Sequence, residues 1–390
     1  MKRVGVWILG ARGSISAVTI AGHAAMVRGL ARVDGLVTER SPFAEAELAP
    51  LASLVFGGHE VRAITLPEAA AEILPACGVH GVVERLGDAL EQVEREIRPG
   101  IARGAGPGIS ASGARVVDSD LEAIEAVRAD LRDFAARHAI ERLIVVNLAS
   151  TEAARTPHAS WQSLEALQAA MVAGEGVLPA SALYAYAALA EGHGYVNFTP
   201  SLGSRIPALE ELALRTGAVH VGSDGKTGET LVKSVLGELF ARRNLRVLSW
   251  FGQNILGNED GRVLNDPQHK VSKIRSKDQL LPKLLGYAPE THVGIDYVPS
   301  LGEWKIAWDH IHFEGFLGGR MTMQFTWNGC DSLLAAPLVL DLVRLVDLAL
   351  RRGERGVLPA LASFFKDPMG TDEQRLVAQD EALLAWLAGG

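Results

Sequence analysis

Four lysines stand where an amine is unusual or where two amines meet. Lys273 and Lys277 are four residues apart in VSKIRSKDQLL, so on a helix both ammonium groups share one face, with Arg275 to the side. Lys305 lies in EWKIAW and Lys366 in SFFKDP, each flanked by large apolar side chains. Two readings of these amines compete. One is a solvated or snorkelling side chain. The other is a cationic pocket for a phosphorylated sugar, where repulsion and burial lower a lysine pKa and let it move protons near neutral pH.

Two glycine loops offer anion sites. Gly10, Ala11, Arg12, Gly13, Ser14 and Ile15 follow an apolar run at residues 4–9 and precede an alanine-rich helical stretch. A strand, a glycine turn and a helix start present free N–H groups and a favourable dipole to a pyrophosphate. Ser14 and Ser16 can add hydroxyl donors. The spacing is G-x-x-G rather than G-x-G-x-x-G, so a tight turn without ligand competes. The second loop, residues 222–230, ends in Gly225-Lys226-Thr227 like a P-loop, but His220 stands where the first glycine belongs. A nucleotide triphosphatase is therefore disfavoured, while Lys226, Thr227 and the loop N–H groups can still hold a phosphate at the next helix start.

The surrounding pattern supplies the elements that position these residues. Residues 143–146 read as a buried strand ending in the polar run Asn147-Leu-Ala-Ser-Thr151-Glu152, and polar residues at that end of a parallel strand are where open α/β sheets bind ligands. A second strand is expected at residues 33–38, with Glu39 after it, and another at 60–65. Helices are expected at 121–138, capped by Asp118 or Ser119, at 180–190 and at 229–243. Short strands are expected at 195–197 and 218–221. Beyond residue 245 the segments 247–250, 291–298, 305–313 and 321–327 alternate apolar with polar, as half-buried antiparallel strands do. Asp331 can cap a helix at 333–350, and two further helices are expected near 357–365 and 371–388. The fold class is α/β: a Rossmann-like domain of residues 1–240 plus 331–390, with an inserted antiparallel α+β domain at 241–330 for catalysis and oligomerisation.

Composition bounds the rest. The 390 residues are 48% apolar and 22% charged, with a net charge of −8, which suits a folded globular chain and disfavours nucleic-acid binding. Cys77 and Cys330 give neither a disulfide framework nor a zinc motif. No uncharged apolar stretch reaches the ~18 residues that a membrane helix needs. The N-terminal apolar run is too short for a signal peptide, so a cytoplasmic protein without membrane partners is expected. On a strand His310 and His312 share a face and Asp309 points away, so no metal site is assigned.

Eight segments occur in an order that resembles the inositol-phosphate synthase family: LGARGSIS, VNLASTE, VNFTPS, GSDGKTGETLVKSVL, GQNILGNEDG, KIRSKD, GEWKIAWD and FFKDPM. The resemblance spans nearly the whole chain and is nearest to the shorter archaeal and bacterial forms. It implies conversion of glucose 6-phosphate to inositol 1-phosphate by oxidation at C5, aldol closure and re-reduction, an isomerase with no net redox. It implies NAD on Gly10, Ala11, Arg12, Gly13, Ser14 and Ile15, with Asn147, Thr151, Asp224 and Asp260. Substrate falls to Asn197, Lys226, Thr227, Gly228, Glu229, Asn254, Leu256 and Asn258. Lys273, Lys277, Lys305 and Lys366, with Asp224, are the implied catalytic groups, and a homotetramer is the implied assembly. A divalent or monovalent cation stays open as a further cofactor. Glu229 stands where many members have glutamine, and Glu259 where many have asparagine, so each sets an extra carboxylate beside a phosphate. The competing functions are an NAD-dependent sugar-phosphate dehydrogenase, a paralogue cyclising a related sugar phosphate, and a non-catalytic sensor.

Overall fold

The computed structural model describes residues 2–106, 112–258, 261 and 280–389. The chain divides into two compact units: Met1–Gly225 with Ala336–Thr371 and Trp386–Gly390, and Lys226–Ala335 with Asp372–Ala385. The sequence expectation set the division at 241 and 330.

In chain order the strands are β1 (Arg3–Leu9), β2 (Leu54–Glu60), β3 (Ile97–Pro99), β4 (Ile140–Asn147), β5 (Gly194–Asn197), β6 (Val219–Gly222), β7 (Arg246–Leu256), β8 (Glu290–Tyr297), β9 (Trp304–Glu314), β10 (Arg320–Cys330) and β11 (Gly356–Val357). The first unit holds a parallel sheet in the order β11-β6-β5-β4-β1-β2-β3. Its central strands are near-continuous apolar runs because helices cover them. The helices Asp120–His138 and Ala180–Ala190 pack on one another and on β4. Trp7 and Phe134 meet edge to face at 5.1 Å in this core. The strand order reverses between β1 and β4, the place where such sheets take a ligand outside their carboxyl ends.

Several local expectations are met. Ser119 caps the helix Asp120–His138 by accepting from the Glu122 N–H at 3.1 Å. The helix Ala180–Ala190 begins directly after Pro179, which removes a donor where a helix has donors to spare. Three expectations are corrected. Residues 33–38 form no strand; Val37–Glu39 is a 3-10 turn, and the strand beside β1 is β2. Residues 61–65 lie beyond that strand. The expected helix at 357–365 is β11 followed by the 3-10 segment Pro359–Phe364.

The second unit is a four-stranded sheet ordered β10-β9-β7-β8. β9 is antiparallel to β7 and β10, but β8 runs parallel to β7, so the sheet is mixed rather than antiparallel. A parallel neighbour needs a crossover instead of a hairpin, and the helix Leu280–Leu285 lies in that connection. Phe240 of the helix Gly228–Arg242 closes an apolar core with Val247, Trp250, Leu281, Ile311 and Phe313.

Candidate active site

At the carboxyl end of β1 the chain turns at Gly10, whose φ of 76° is left-handed. The Gly10 and Ala11 N–H groups both donate to the His59 carbonyl, at 2.9 and 3.1 Å. A Cβ on Gly10 would lie 3.0 Å from the Ala149 Cα, so the turn is pressed against the chain leaving β4. Gly13 is the N-cap of the helix Ser14–Val27 and brings no capping side chain, which leaves the helix start to an anion. The Gly13 N–H donates to the Gly10 carbonyl at 2.9 Å, so these features fit a dinucleotide pyrophosphate on the Ser14 and Ile15 N–H groups, with Gly10 and Gly13 allowing its close approach. Two neighbours are committed elsewhere. The Arg12 guanidinium pairs with Glu94 at 2.6 Å. The Ser16 hydroxyl donates to the Gly10 carbonyl at 2.7 Å, so it braces the turn and is no ligand donor. The acidic residue closing the strand after the glycine turn is Glu60. It accepts from the Arg12 N–H at 2.9 Å and from the Val61 N–H at 2.8 Å. Glu39 pairs instead with Arg344 at 2.6 Å.

At the ends of β4 and β5, Asn147 and Asn197 are buried and bonded to each other, the Asn147 Nδ2 donating to the Asn197 Oδ1 at 3.1 Å. Thr199 joins them at 3.2 Å, and the Asn197 amide also donates to the Ser201 carbonyl at 2.7 Å. Both asparagines thus brace the strand ends. Thr151 is half-buried beyond β4. Beside it the Glu152 carboxylate accepts from the Ser181 N–H at 2.7 Å, at the start of the helix Ala180–Ala190. Burial pushes the Glu152 carboxyl up, against the lowering effect of the Ser181 donors.

Asp224 follows β6, with its backbone left-handed at φ 61°. Its carboxylate accepts from the Lys366 Nζ at 2.9 Å, and its carbonyl from the Lys366 N–H at 2.7 Å. The segments on either side pair as well: the Ser223 N–H donates to the Asp367 carbonyl at 2.8 Å, and the Met369 N–H to the Gly222 carbonyl at 2.8 Å. Gly225 lies against the Phe198 ring, where a Cβ would come within 2.1 Å. Two residues singled out as catalytic therefore meet at the carboxyl edge of the parallel sheet.

In the second unit, Thr227 and Gly228 open the helix Gly228–Arg242 without a side-chain cap. Lys226 is buried and donates to the Gln379 Oε1 at 2.7 Å. Glu229, also buried, takes the Lys233 ammonium at 2.9 Å. On the sheet, Asn254 and Leu256 of β7 stand opposite Ala307 and Lys305 of β9. Lys305 lies 3.6 Å from the Asp331 carboxylate. Asn254 is fully buried, and neither polar atom of its amide has a hydrogen-bond partner among the described residues. Such an amide costs free energy unless something else pairs with it. Asn258 accepts from the Gly261 N–H at 3.2 Å. Asp309 faces Lys233 at 3.5 Å, while His310 and His312 alternate to the other side of β9. Lys273, Lys277 and Asp260 lie outside the described residues. Sequence reasoning missed Glu60, Glu152, Lys233 and the pairing of Asp331 with Lys305. Only the four-residue spacing of Glu229 and Lys233 signalled any of them.

The family model described as myo-inositol-1-phosphate synthase matches residues 4–388. Inositol-3-phosphate synthase 1 of Bacteroides thetaiotaomicron is 34% identical over 391 residues, 94% of this chain and 90% of that protein. Inositol-3-phosphate synthase of Drosophila melanogaster is 37% identical over 243 residues, 59% of this chain and 42% of that protein, so the shared stretch is under half of the fly protein. Among solved structures, inositol-3-phosphate synthase of Caenorhabditis elegans superposes with a TM-score of 0.86 at 25% identity, covering 99% of this chain and 85% of that one. A myo-inositol-1-phosphate synthase-related protein of Thermotoga maritima gives 0.81 at 25% identity, covering 99% and 98%. A match running from β1 into the last helix, on a parallel sheet with the glycine turn at its switch point, places the chain in the myo-inositol-1-phosphate synthase family.

Proposed function

We propose that the protein converts glucose 6-phosphate into 1L-myo-inositol 1-phosphate, and that the observation carrying its chemistry is the Lys366–Asp224 pair at the carboxyl edge of the NAD-binding sheet. The Ser14 and Ile15 N–H groups, beside the close-approach glycines Gly10 and Gly13, would hold NAD, which would supply a reversible hydride acceptor for C5 of the open-chain sugar. The chain's own residues manage protons and charge. Lys277 takes the C5 hydroxyl proton and stabilises the alkoxide or enolate that develops. The C6 proton, acidified by the C5 ketone, passes to the substrate phosphate, and Lys305, fixed by Asp331, polarises and protonates the C1 oxygen as the C6 carbon attacks it, with Lys273 assisting. Lys366 and Lys273 neutralise the phosphate, and Asp224 orients Lys366. The start of the helix Gly228–Arg242 takes phosphate oxygens on its N–H groups, and Asn254 supplies an amide donor and acceptor to the sugar.

Two further readings belong here. The outer face of the mixed sheet carries exposed aromatics: Phe251 stacks on His292 at 4.6 Å and meets Trp308 at 5.8 Å. An apolar aromatic face of this kind supports self-association, and the homotetramer implied by the resemblance is the assembly we infer. Among the described residues no helix is long and apolar enough to cross a membrane, consistent with a cytoplasmic enzyme. A cation requirement is tested by chelation.

The deciding experiment is incubation with glucose 6-phosphate and catalytic NAD. Inositol phosphate formed without net NADH is the expected result. Stoichiometric NADH with no cyclitol would replace the proposal with a dehydrogenase.

A further inference from the structure

Glu229 poses a charge problem. It is the second residue of the helix Gly228–Arg242, next to the N–H groups to which the proposed function assigns the substrate phosphate. A bare carboxylate there repels a dianion. The carboxylate is nevertheless buried and turned along its own helix, to the Lys233 ammonium at 2.9 Å. Lys233 is buried as well, lies 3.5 Å from the Asp309 carboxylate and sits 5.4 Å over the Trp250 ring. Asp309 is held in turn by the Trp250 indole N–H at 2.6 Å.

The strand beneath is shaped for this trio. A Cβ on Gly252 would come 3.0 Å from the Asp309 Oδ1, 3.3 Å from the Glu229 Oε1 and 3.5 Å from the Lys233 Nζ. Two residues further along the same face of β7 is Asn254, the buried amide without a partner. A Cβ on Gly228 would lie 3.5 Å from the Trp327 Nε1 and 3.4 Å from the Asp331 Oδ1, so the start of this helix approaches the carboxylate that fixes Lys305. Burial pushes the Asp309 carboxyl up, Lys233 opposes this, and Glu229 adds to the rise. The three side chains thus share one charge balance, with Lys233 between two carboxylates.

We propose that Lys233, braced by Asp309, is a positioning residue for substrate: it neutralises Glu229 and holds that carboxylate against the flank of the helix, leaving the first-turn N–H groups to the phosphate. The inference rests on the phosphate assignment made above. It gives Lys233 no contact with the sugar and no part in proton transfer. Its effect is on substrate affinity.

The test is a charge-swap cycle on the full-length holoenzyme with Lys233→Met, Glu229→Gln, the double variant and Lys233→Arg. Lys233→Met is expected to raise KM for glucose 6-phosphate about tenfold to a hundredfold, with kcat much less affected, because it removes the ammonium that offsets Glu229 near the phosphate. The double variant should return to the KM of Glu229→Gln alone, and Lys233→Arg should lie close to the parent. Inorganic phosphate serves as a second probe, through its binding to each variant by calorimetry. A Lys233→Met protein with parental KM and parental phosphate affinity overturns the inference. So does a folded double variant no better than Lys233→Met, which would leave Lys233 a purely structural role. If the parent makes no inositol phosphate, the assigned function fails, and the phosphate titrations still decide the charge relationship.

Discussion

Lys366 and Asp224 are 142 positions apart in sequence, and the ammonium of one donates to the carboxylate of the other at 2.9 Å. The two loops that carry them are also tied through their backbones, so the pair is built from main chain upward and does not depend on two flexible side chains finding one another. A group held in this way is pre-oriented, the property a charge-handling residue needs.

Lys366→Met is therefore expected to lower kcat at least about 100-fold, the scale of a lost charge or proton function, while the protein still folds and binds NAD. Asp224→Asn keeps the shape and weakens the pair, so its loss should be smaller, about tenfold. Steady-state cyclisation rates check both. Parental turnover by Lys366→Met would remove this lysine from the reaction.

Asn254 predicts a split between stability and function. Its buried amide has no hydrogen-bond partner among the described residues, a condition that costs about 1–3 kcal/mol. Asn254→Leu should thus raise the denaturation midpoint or leave it unchanged, while KM for glucose 6-phosphate rises about tenfold. A variant that loses stability and keeps its KM would place Asn254 in the scaffold only.

Gly10→Ala tests the dinucleotide turn. The new methyl meets the Ala149 backbone at 3.0 Å at a φ of 76°, a conformation costing an L-residue roughly 1–2 kcal/mol. The expected outcome is a lower melting temperature together with NAD affinity reduced tenfold or more. Equilibrium titration with NAD measures the second effect apart from the first.

Asp130 sets an acid limit. Burial alone would raise its carboxyl, but His59 and Arg98, with Arg115, hold it down at about 2. The His59 Nε2 lies 3.0 Å from the Asp130 Oδ2, and the Arg98 Nη1 lies 2.6 Å from the Oδ1. The folded-state value is below the unfolded one, so the stabilisation is complete above about pH 4 and is lost as pH falls toward 2, about 2 kcal/mol in all. Urea melts between pH 2 and 6 should show this slope. Asp130→Asn should flatten it and be less stable at neutral pH, with Arg115 losing its carboxylate partner and Arg98 left to Asp133 alone.

The sequence displayed some of this and hid the rest for identifiable reasons. β1 and β4 are legible because strands buried on both faces are apolar throughout. β2 is not, because Gly57 and Gly58 break its apolar run. In the fold a Cβ on Gly58 would come 2.3 Å from the Ile8 carbonyl oxygen, so the glycine is there for close strand contact. The parallel course of β8 beside β7 is a long-range pairing to which alternation along each strand is blind. Within the candidate site, large apolar neighbours pointed to Lys305 and Lys366, and the family resemblance pointed to Asp224. Their partners belong to tertiary structure, as with the Asp331 carboxylate beside Lys305. Asn147 and Asn197 carry the reverse lesson: polar residues at strand ends can be bonded to one another.

The parallel sheet is finished by residues that the ribosome makes late. β11 pairs with β6, and Lys366 reaches Asp224, only after the whole of β7–β10 has been synthesised. Until then a nascent chain presents β6 as an open edge, the kind of surface on which unfinished proteins associate wrongly. A product terminated anywhere before residue 356 lacks the strand that covers this edge and the lysine that pairs with Asp224. Truncated translation products are therefore expected to be inactive and to demand chaperone attention at the same time, so that incomplete synthesis cannot yield a half-functional enzyme.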